Sequence, residues 1–182
     1  MIRRLGEVCK VVGGGTPSKQ NAEFYNGNIP WASVRDMNVR VISDTEYKIT
    51  PDAVEKSATN VIPKGEVVIS THVGLGKVCV LGQDTAINQD LKAIIPNEGL
   101  SRWYLYYWFL SKADTLIANG KGATVKGVTV DFVKSLDIPI PPVETQQQVV
   151  RALDSVYTII AASESELAKL DQLVKSRFVE AA

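Results

Sequence analysis

The stretch Leu136-Asp137-Ile138-Pro139-Ile140-Pro141-Pro142 decides the fold, because the texture of the chain changes across it. After it, from Glu144 to Glu180, there is no glycine and no proline. The apolar positions there are Val149, Leu153, Val156, Ile160, Leu167, Leu170 and Val174. They advance in steps of four and three, with polar Ser163 filling the missing place. A period of 3.5 residues is the signature of a coiled-coil seam. At 1.5 Å per residue such a helix is a rod of roughly 55 Å. A second, partial stripe runs through Val150, Tyr157, Leu173 and Phe178, so the ends of the rod are predicted to pack on something more. A single domain offers little surface that long. The spacing therefore predicts a protruding, partner-seeking helix over 144–182, with a separate globular head over 1–143.

The head reads as β-rich. Apolar runs bounded by turn residues predict strands at 8–12, 65–69, 77–81, 91–95 and 136–140. Thr50-Pro51-Asp52 starts a helix, with Thr50 as cap and Pro51 in the first turn. Ser101 caps a longer helix over 102–118, so crowded with Trp103, Tyr104, Tyr106, Tyr107, Trp108 and Phe109 that it belongs in the core. Thr129 caps a short helix over 130–134. The predicted fold class is α+β: a β-rich head followed by a long C-terminal coiled-coil helix.

Composition narrows the function classes. The chain has 182 residues, 45% hydrophobic and 22% charged, an ordinary globular balance. Twenty basic and twenty acidic residues give zero net charge, which excludes a binder working by bulk positive charge. Residues 144–182 hold 4 basic and 6 acidic residues, so neither segment is strongly charged. No apolar run reaches membrane-spanning length, and no signal-peptide core follows Arg3 and Arg4. Cys9 and Cys79 have no spacing partner and read as reduced thiols of a cytoplasmic protein.

Catalytic signatures are missing. There is one histidine, His72, no Gly-x-Ser-x-Gly elbow and no Cys-x-x-Cys metal pair. Gly74-Leu75-Gly76-Lys77 fails as a phosphate loop: position 71 is Thr71 where glycine is needed, and Val78 stands where a magnesium-binding hydroxyl is needed. Asp84 and Asp90 form no evident acid/base pair. A stand-alone methyltransferase is disfavoured, since Ile140-Pro141-Pro142-Val143 lacks both the amide or acid and the aromatic ring of its catalytic motif. The pattern is that of a binder, with neither metal nor cofactor of its own.

Three glycine-rich turns carry polar residues: 13–20, 70–77 and 119–127. Glycine lets backbone N–H groups approach phosphate oxygens, and lysine adds charge. Gln20, Arg35, Gln89 and Lys92 are available for base edges. Solvated turns of any β-rich domain account for the same residues equally well.

The order of motifs resembles the target-recognition module of the DNA specificity subunits of Type I restriction–modification systems. The resemblance runs through Leu5-Gly6-Glu7-Val8, Gly13-Gly14-Gly15-Thr16-Pro17, Gly27-Asn28-Ile29-Pro30-Trp31, Val34-Arg35-Asp36 and Asn88-Gln89-Asp90-Leu91-Lys92-Ala93-Ile94. It is strongest at 136–142 with Glu144, Gln146, Gln147 and Val150 behind. His72 departs from it, standing where many relatives have arginine. The resemblance implies a non-catalytic subunit that directs a DNA methyltransferase, and through the full complex a restriction endonuclease, to one half of a split site in double-stranded DNA. S-adenosylmethionine would be bound by the methyltransferase. The implied DNA-contacting residues are Lys19, Gln20, Arg35, Thr71, His72, Lys77, Gln89, Lys121 and Lys126. One head and one helix imply either a half subunit that forms a homodimer through the seam, or the first half of a longer subunit. The competing reading is a coiled-coil interaction module with no DNA specificity.

Overall fold

The computed structural model describes residues 1–122 and 126–180, with side chains to residue 177. The head is built from β1 (Ile2–Arg4), α1 (Leu5–Val8), β2 (Cys9–Gly13), β3 (Ile29–Ala32), β4 (Val41–Ile42), β5 (Tyr47–Ile49), α2 (Pro51–Glu55), β6 (Asn60–Ile62), β7 (Val67–Ser70), β8 (Val78–Leu81), β9 (Thr85–Ile87), β10 (Leu91–Pro96), α3 (Arg102–Ser111), α4 (Ala113–Ala118), α5 (Val130–Ser135) and β11 (Asp137–Pro139). One helix, α6 (Val143–Glu180), follows.

Five strands form a central sheet in the order β2-β10-β7-β8-β4, antiparallel except for β4 against β8. The middle strands are apolar at almost every position because both faces are covered. Alternation then sorts their side chains to opposite faces. Val67, Ile69, Val78, Val80 and Ile94 meet Tyr104, Leu105, Trp108 and Phe109 of α3. Val68, Cys79, Leu81, Leu91 and Ala93 meet Ala32, Ile62 and Ile87 of a second sheet, ordered β5-β3-β9-β6. The head is thus helix on sheet on sheet, the α+β class predicted. Both cysteines are buried and unpaired.

The predicted caps are in place. The hydroxyls of Thr50, Ser101 and Thr129 accept from the N–H groups of Ala53, Tyr104 and Phe132. The predicted single helix over 102–118 is a correction: it divides at Lys112. The Ser111 hydroxyl takes the Trp108 carbonyl at 2.7 Å, and the Lys112 N–H reaches Phe109, three residues back, at 3.0 Å. A short hydroxyl that bonds a backbone acceptor competes with helical pairing in this way. β3, β5, β6 and β9 are too short to stand out in the sequence. They form by pairing with each other.

The start of α6 is sewn into the head. Gln146 is fully buried. Its Oε1 accepts from the Ser101 N–H at 2.8 Å, and its Nε2 donates to the carbonyls of Gly99 and Pro141, each at 2.9 Å. Val149 and Val150 pack on the α3 side of the core. Beyond them the seam opens to solvent: Val156 and Ile160 are 52% exposed and Leu167 is 63% exposed. The predicted second stripe divides likewise. Val150 is packed and Leu173 is exposed, while the Phe178 side chain lies outside the described residues. Among the described residues no helix is long and apolar enough to cross a membrane, and no group of three or more His, Cys, Asp or Glu is placed to hold a metal ion.

Candidate nucleic-acid interface

The three glycine-rich turns, far apart in sequence, converge on the segment Asn88–Lys92 that leads into β10. The first turn docks by close backbone approach. A Cβ on Gly14 would sit 2.1 Å from the Ile87 carbonyl oxygen, so only glycine fits. The Gly15 N–H donates to that carbonyl at 3.0 Å, and the Gly15 carbonyl accepts from Trp31 Nε1 at 3.1 Å and from the Thr59 hydroxyl at 2.7 Å. The Thr16 hydroxyl donates to Gln89 Oε1. On the other side, the Thr71 N–H and hydroxyl both donate to the Asp90 carbonyl, at 2.9 and 3.1 Å. The third turn leans on the second: the Val128 N–H donates to the Thr71 carbonyl at 2.9 Å, and Lys121 and Gly127 exchange a pair of backbone bonds at 2.9 Å each. Ala123, Thr124 and Val125 of that turn lie outside the described residues.

Two open concavities lie along this segment, one lined by Asn88, Gln89 and Asp90 and the other by Lys92. The larger, about 670 Å³, carries Lys19, Arg35, Gln89 and Asp90 around an aromatic wall of Tyr25, Trp31 and Tyr47. These rings meet edge to face, with centroids 6.0 to 6.4 Å apart. Arg35 is presented by a short turn locked by a capping box: the Ser33 N–H and hydroxyl donate to Asp36 Oδ2 at 2.8 and 3.1 Å. Its side chain is 74% exposed and only loosely paired to Glu46 at 3.3 Å. The smaller concavity, about 400 Å³, is lined by Thr71, His72, Lys92 and Lys121. His72 is half exposed, with Nδ1 3.9 Å from Asp90 Oδ1. Lys92 Nζ donates to the Gln89 carbonyl at 2.6 Å and the Leu91 carbonyl at 3.1 Å. Its burial lowers its pKa, partly offset by nearby Asp90.

The nine residues named from sequence therefore divide. Lys19, Arg35 and Gln89 share one concavity, and His72 and Lys121 line the other. Gln20 and Lys126 are exposed on the flanking turns without lining either one. Thr71 is fully buried with its hydroxyl committed, so it holds the turn instead of reaching out of it. Lys77 points the other way: Nζ donates to Asn38 Oδ1 at 2.6 Å and bridges toward the Val34 carbonyl, bracing the turn that carries Arg35. Sequence reasoning missed the aromatic wall and Asp90. Tyr25, Trp31 and Tyr47 come from three separate segments, and only the pairing of β3 with β5 brings two of them together.

Fold and site together define a β-rich head, with polar turns gathered on one surface, mounted on a long helix. Residues 1–172 match the family described as the Type I restriction modification DNA specificity domain, and the chain belongs to that family. It is 35% identical to the Type I restriction enzyme EcoR124I/EcoR124II specificity subunit of Escherichia coli, over 86% of this chain and 41% of that protein. It is 28% identical to the MjaIX specificity subunit of Methanocaldococcus jannaschii, over 97% of this chain and 42% of that protein. Among solved structures, the HsdS subunit from Thermoanaerobacter tengcongensis shares the fold with a TM-score of 0.71 at 24% identity, over 89% of this chain and 38% of that one. A chain from a study of assembly and conformational transition of the type I R-M system gives a TM-score of 0.79 at 24% identity, over 96% and 42%. The chain spans about two fifths of the length of these relatives.

Proposed function

We propose that the head reads one half of a split site in double-stranded DNA and that α6 pairs with the helix of a second copy, giving a homodimer that recognises a palindromic split site. The observation that carries this reading is the convergence of three glycine-rich turns on Asn88–Lys92. It gathers Lys19, Arg35, Gln89, His72 and Lys121 beside two concavities on one surface. Lys19, Arg35, Lys121 and Lys126 take phosphate oxygens, which sets register without reading sequence. Gln20, Gln89 and His72 reach base edges in the major groove, where each base pair presents a distinct donor and acceptor pattern. Asp90 joins them as an acceptor suited to the amino group of cytosine. Thr71 and Lys77 act from behind by bracing the turns.

The exposed seam supports the second half of the reading. A row of leucine, isoleucine and valine at 52 to 63% exposure is stable in water only when covered. Two-fold symmetry in the protein would be mirrored in the DNA. The chain carries no chemistry of its own in this reading. A methyltransferase subunit docks on it and brings S-adenosylmethionine, and a restriction endonuclease subunit joins through that complex in the cytoplasm.

The test is to co-express the chain with its methyltransferase subunit and map methylated positions in randomised DNA. A split site with identical, inverted halves is the expected result. Methylation without sequence preference would overturn the reading and favour a pure interaction module. Light scattering over a tenfold dilution tests the pairing. A mass near twice 19.8 kDa is expected, and a monomer at every concentration would remove the homodimer.

A further inference from the structure

The head-facing side of α6 ends in a cluster that neither the DNA surface nor the seam accounts for. Arg40, in the loop before β4, inserts its guanidinium between α3 and α6. It stacks 4.3 Å from the centroid of the Trp103 ring and 4.7 Å from that of Tyr157. One Nη donates to the Asp154 carboxylate. The Tyr107 hydroxyl donates to the same Asp154 oxygen at 2.6 Å. The Arg40 side chain is only 17% exposed, and its Nε is buried without a hydrogen-bond partner among the described residues. Burial opposes the charged Asp154 carboxylate, but the bonds from Tyr107 and Arg40 outweigh it and hold its pKa below the usual range.

Position explains why this cluster matters. Gln146, Val150, Asp154 and Tyr157 lie at helical spacing on the side of α6 that faces the head. Tyr157 is the last of these contacts, and beyond it every described side chain of α6 is exposed. The helix from residue 158 to 180 projects by roughly 34 Å at 1.5 Å per residue. A tilt of ten degrees at the cluster moves its tip by about 6 Å over that lever. A planar guanidinium held between two rings and a carboxylate resists tilt in two directions, which a lysine in its place does not. Val34–Arg40 also carries Arg35 into the larger concavity, so one short segment touches both the candidate interface and the base of the rod.

We propose that Arg40 is a positioning residue that fixes the direction in which α6 leaves the head. Resting on the reading that paired helices separate two DNA-reading heads, it thereby sets the spacing between half-sites. Neither Arg40 nor Asp154 needs to touch DNA for this.

The test reads direction without DNA. Spin labels are placed by Glu98→Cys on the head and Lys169→Cys on the rod, in an excess of unlabelled chain so that only intramolecular pairs contribute. Cys9 and Cys79 are buried and stay unlabelled. The parent is expected to give one narrow distance distribution. Arg40→Ala is expected to broaden it at least twofold, Arg40→Lys to broaden it partly, and Asp154→Asn to fall between. An unchanged width in folded Arg40→Ala, with native circular dichroism, overturns the proposal. Should Arg40→Ala fail to fold, Tyr157→Ala takes its place, with the same expected broadening and the same refutation. Half-site spacing in the methylation assay is the second readout. Arg40→Ala is expected to accept spacers one base pair longer and shorter than the parent accepts. A broadened distribution with an unchanged spacer refutes the link to spacing. A parent with no DNA preference refutes the proposed function, while the label distances still decide the role of Arg40.

Discussion

The head and α6 dispose of their apolar residues in opposite ways. In the head, Phe109, Ile69, Leu105 and Ile138 are completely buried by other parts of the same chain. In α6, Leu167, Leu170 and Val174 are more than half exposed although their spacing is as regular as any in the molecule. The head closes on itself, so its stability is independent of concentration. The rod is apolar along a line that none of the described residues covers, so in the proposed homodimer its stability as a seam depends on concentration. The two regions should therefore respond to different experiments.

Breaking the seam should have the largest effect. Leu167→Glu with Leu170→Glu removes four leucines from a helix pair, each contributing about 1.5–3 kcal/mol when buried. Pairing should be abolished at micromolar concentration in sedimentation, while the urea midpoint of the head stays put. A head that unfolds with the seam would erase the contrast. Phe109→Ala acts on the other side. It should lower head stability by about 3–5 kcal/mol at every protein concentration, read by urea denaturation. Gln146→Ala sharpens the boundary between the regions, since it removes three hydrogen bonds and leaves buried partners unmet. A loss of about 1–3 kcal/mol is expected in the same assay. Within the candidate interface, Gln89→Ala should relax one base position by about 1–3 kcal/mol. Lys19→Ala should weaken all sequences alike and lower the salt slope by about one. Equal behaviour of these two variants would dissolve the division between base reading and phosphate contact.

A last contrast is set by pH. Burial, with the negative charge of Glu66 adding to it, pushes the Cys9 thiol up to about 12 from 9.0, and burial pushes Cys79 to about 11. A thiol whose folded pKa is raised stabilises the fold fully below its unfolded value near 9 and loses that contribution as pH rises toward 11 and 12. Head stability should fall between pH 9 and 11 in denaturant titrations, and less so in Cys79→Ala. A flat profile would mean the thiols ionise freely.

What the sequence makes legible depends on how local the cause is. The rod is readable because a 3.5-residue period repeats along one continuous segment. The caps Thr50, Ser101 and Thr129 are readable because cap and helix are three residues apart. The central strands are readable as apolar runs. The division at Lys112 is not, because a single serine such as Ser111 is accommodated inside many helices without ending them. The site was half legible. Glycine, lysine and glutamine in turns pointed to residues that the fold gathers beside the two concavities, but burial separates Thr71 from its neighbour His72, and nothing local signals it. The aromatic wall joins residues 25, 31 and 47, and the Arg40–Asp154 contact spans 114 positions. Such contacts exist only once the sheets have formed.

The pairing of β1 with β11 has a consequence for the head as a unit of exchange. Ile2, Arg3 and Arg4 lie opposite Pro139, Ile138 and Asp137, and the Ile140 N–H donates to the Met1 carbonyl at 2.7 Å. The head's entrance and exit are thus zipped together, a handle at one point on its surface. A head bounded in this way is a closed unit that could be exchanged as one piece for another with the same two strands. The same closeness favours circular permutation, with a short bridge across the handle and new ends opened at an exposed loop. The rod then keeps its direction only where the incoming head also supplies the Arg40 contacts to Asp154 and Tyr157.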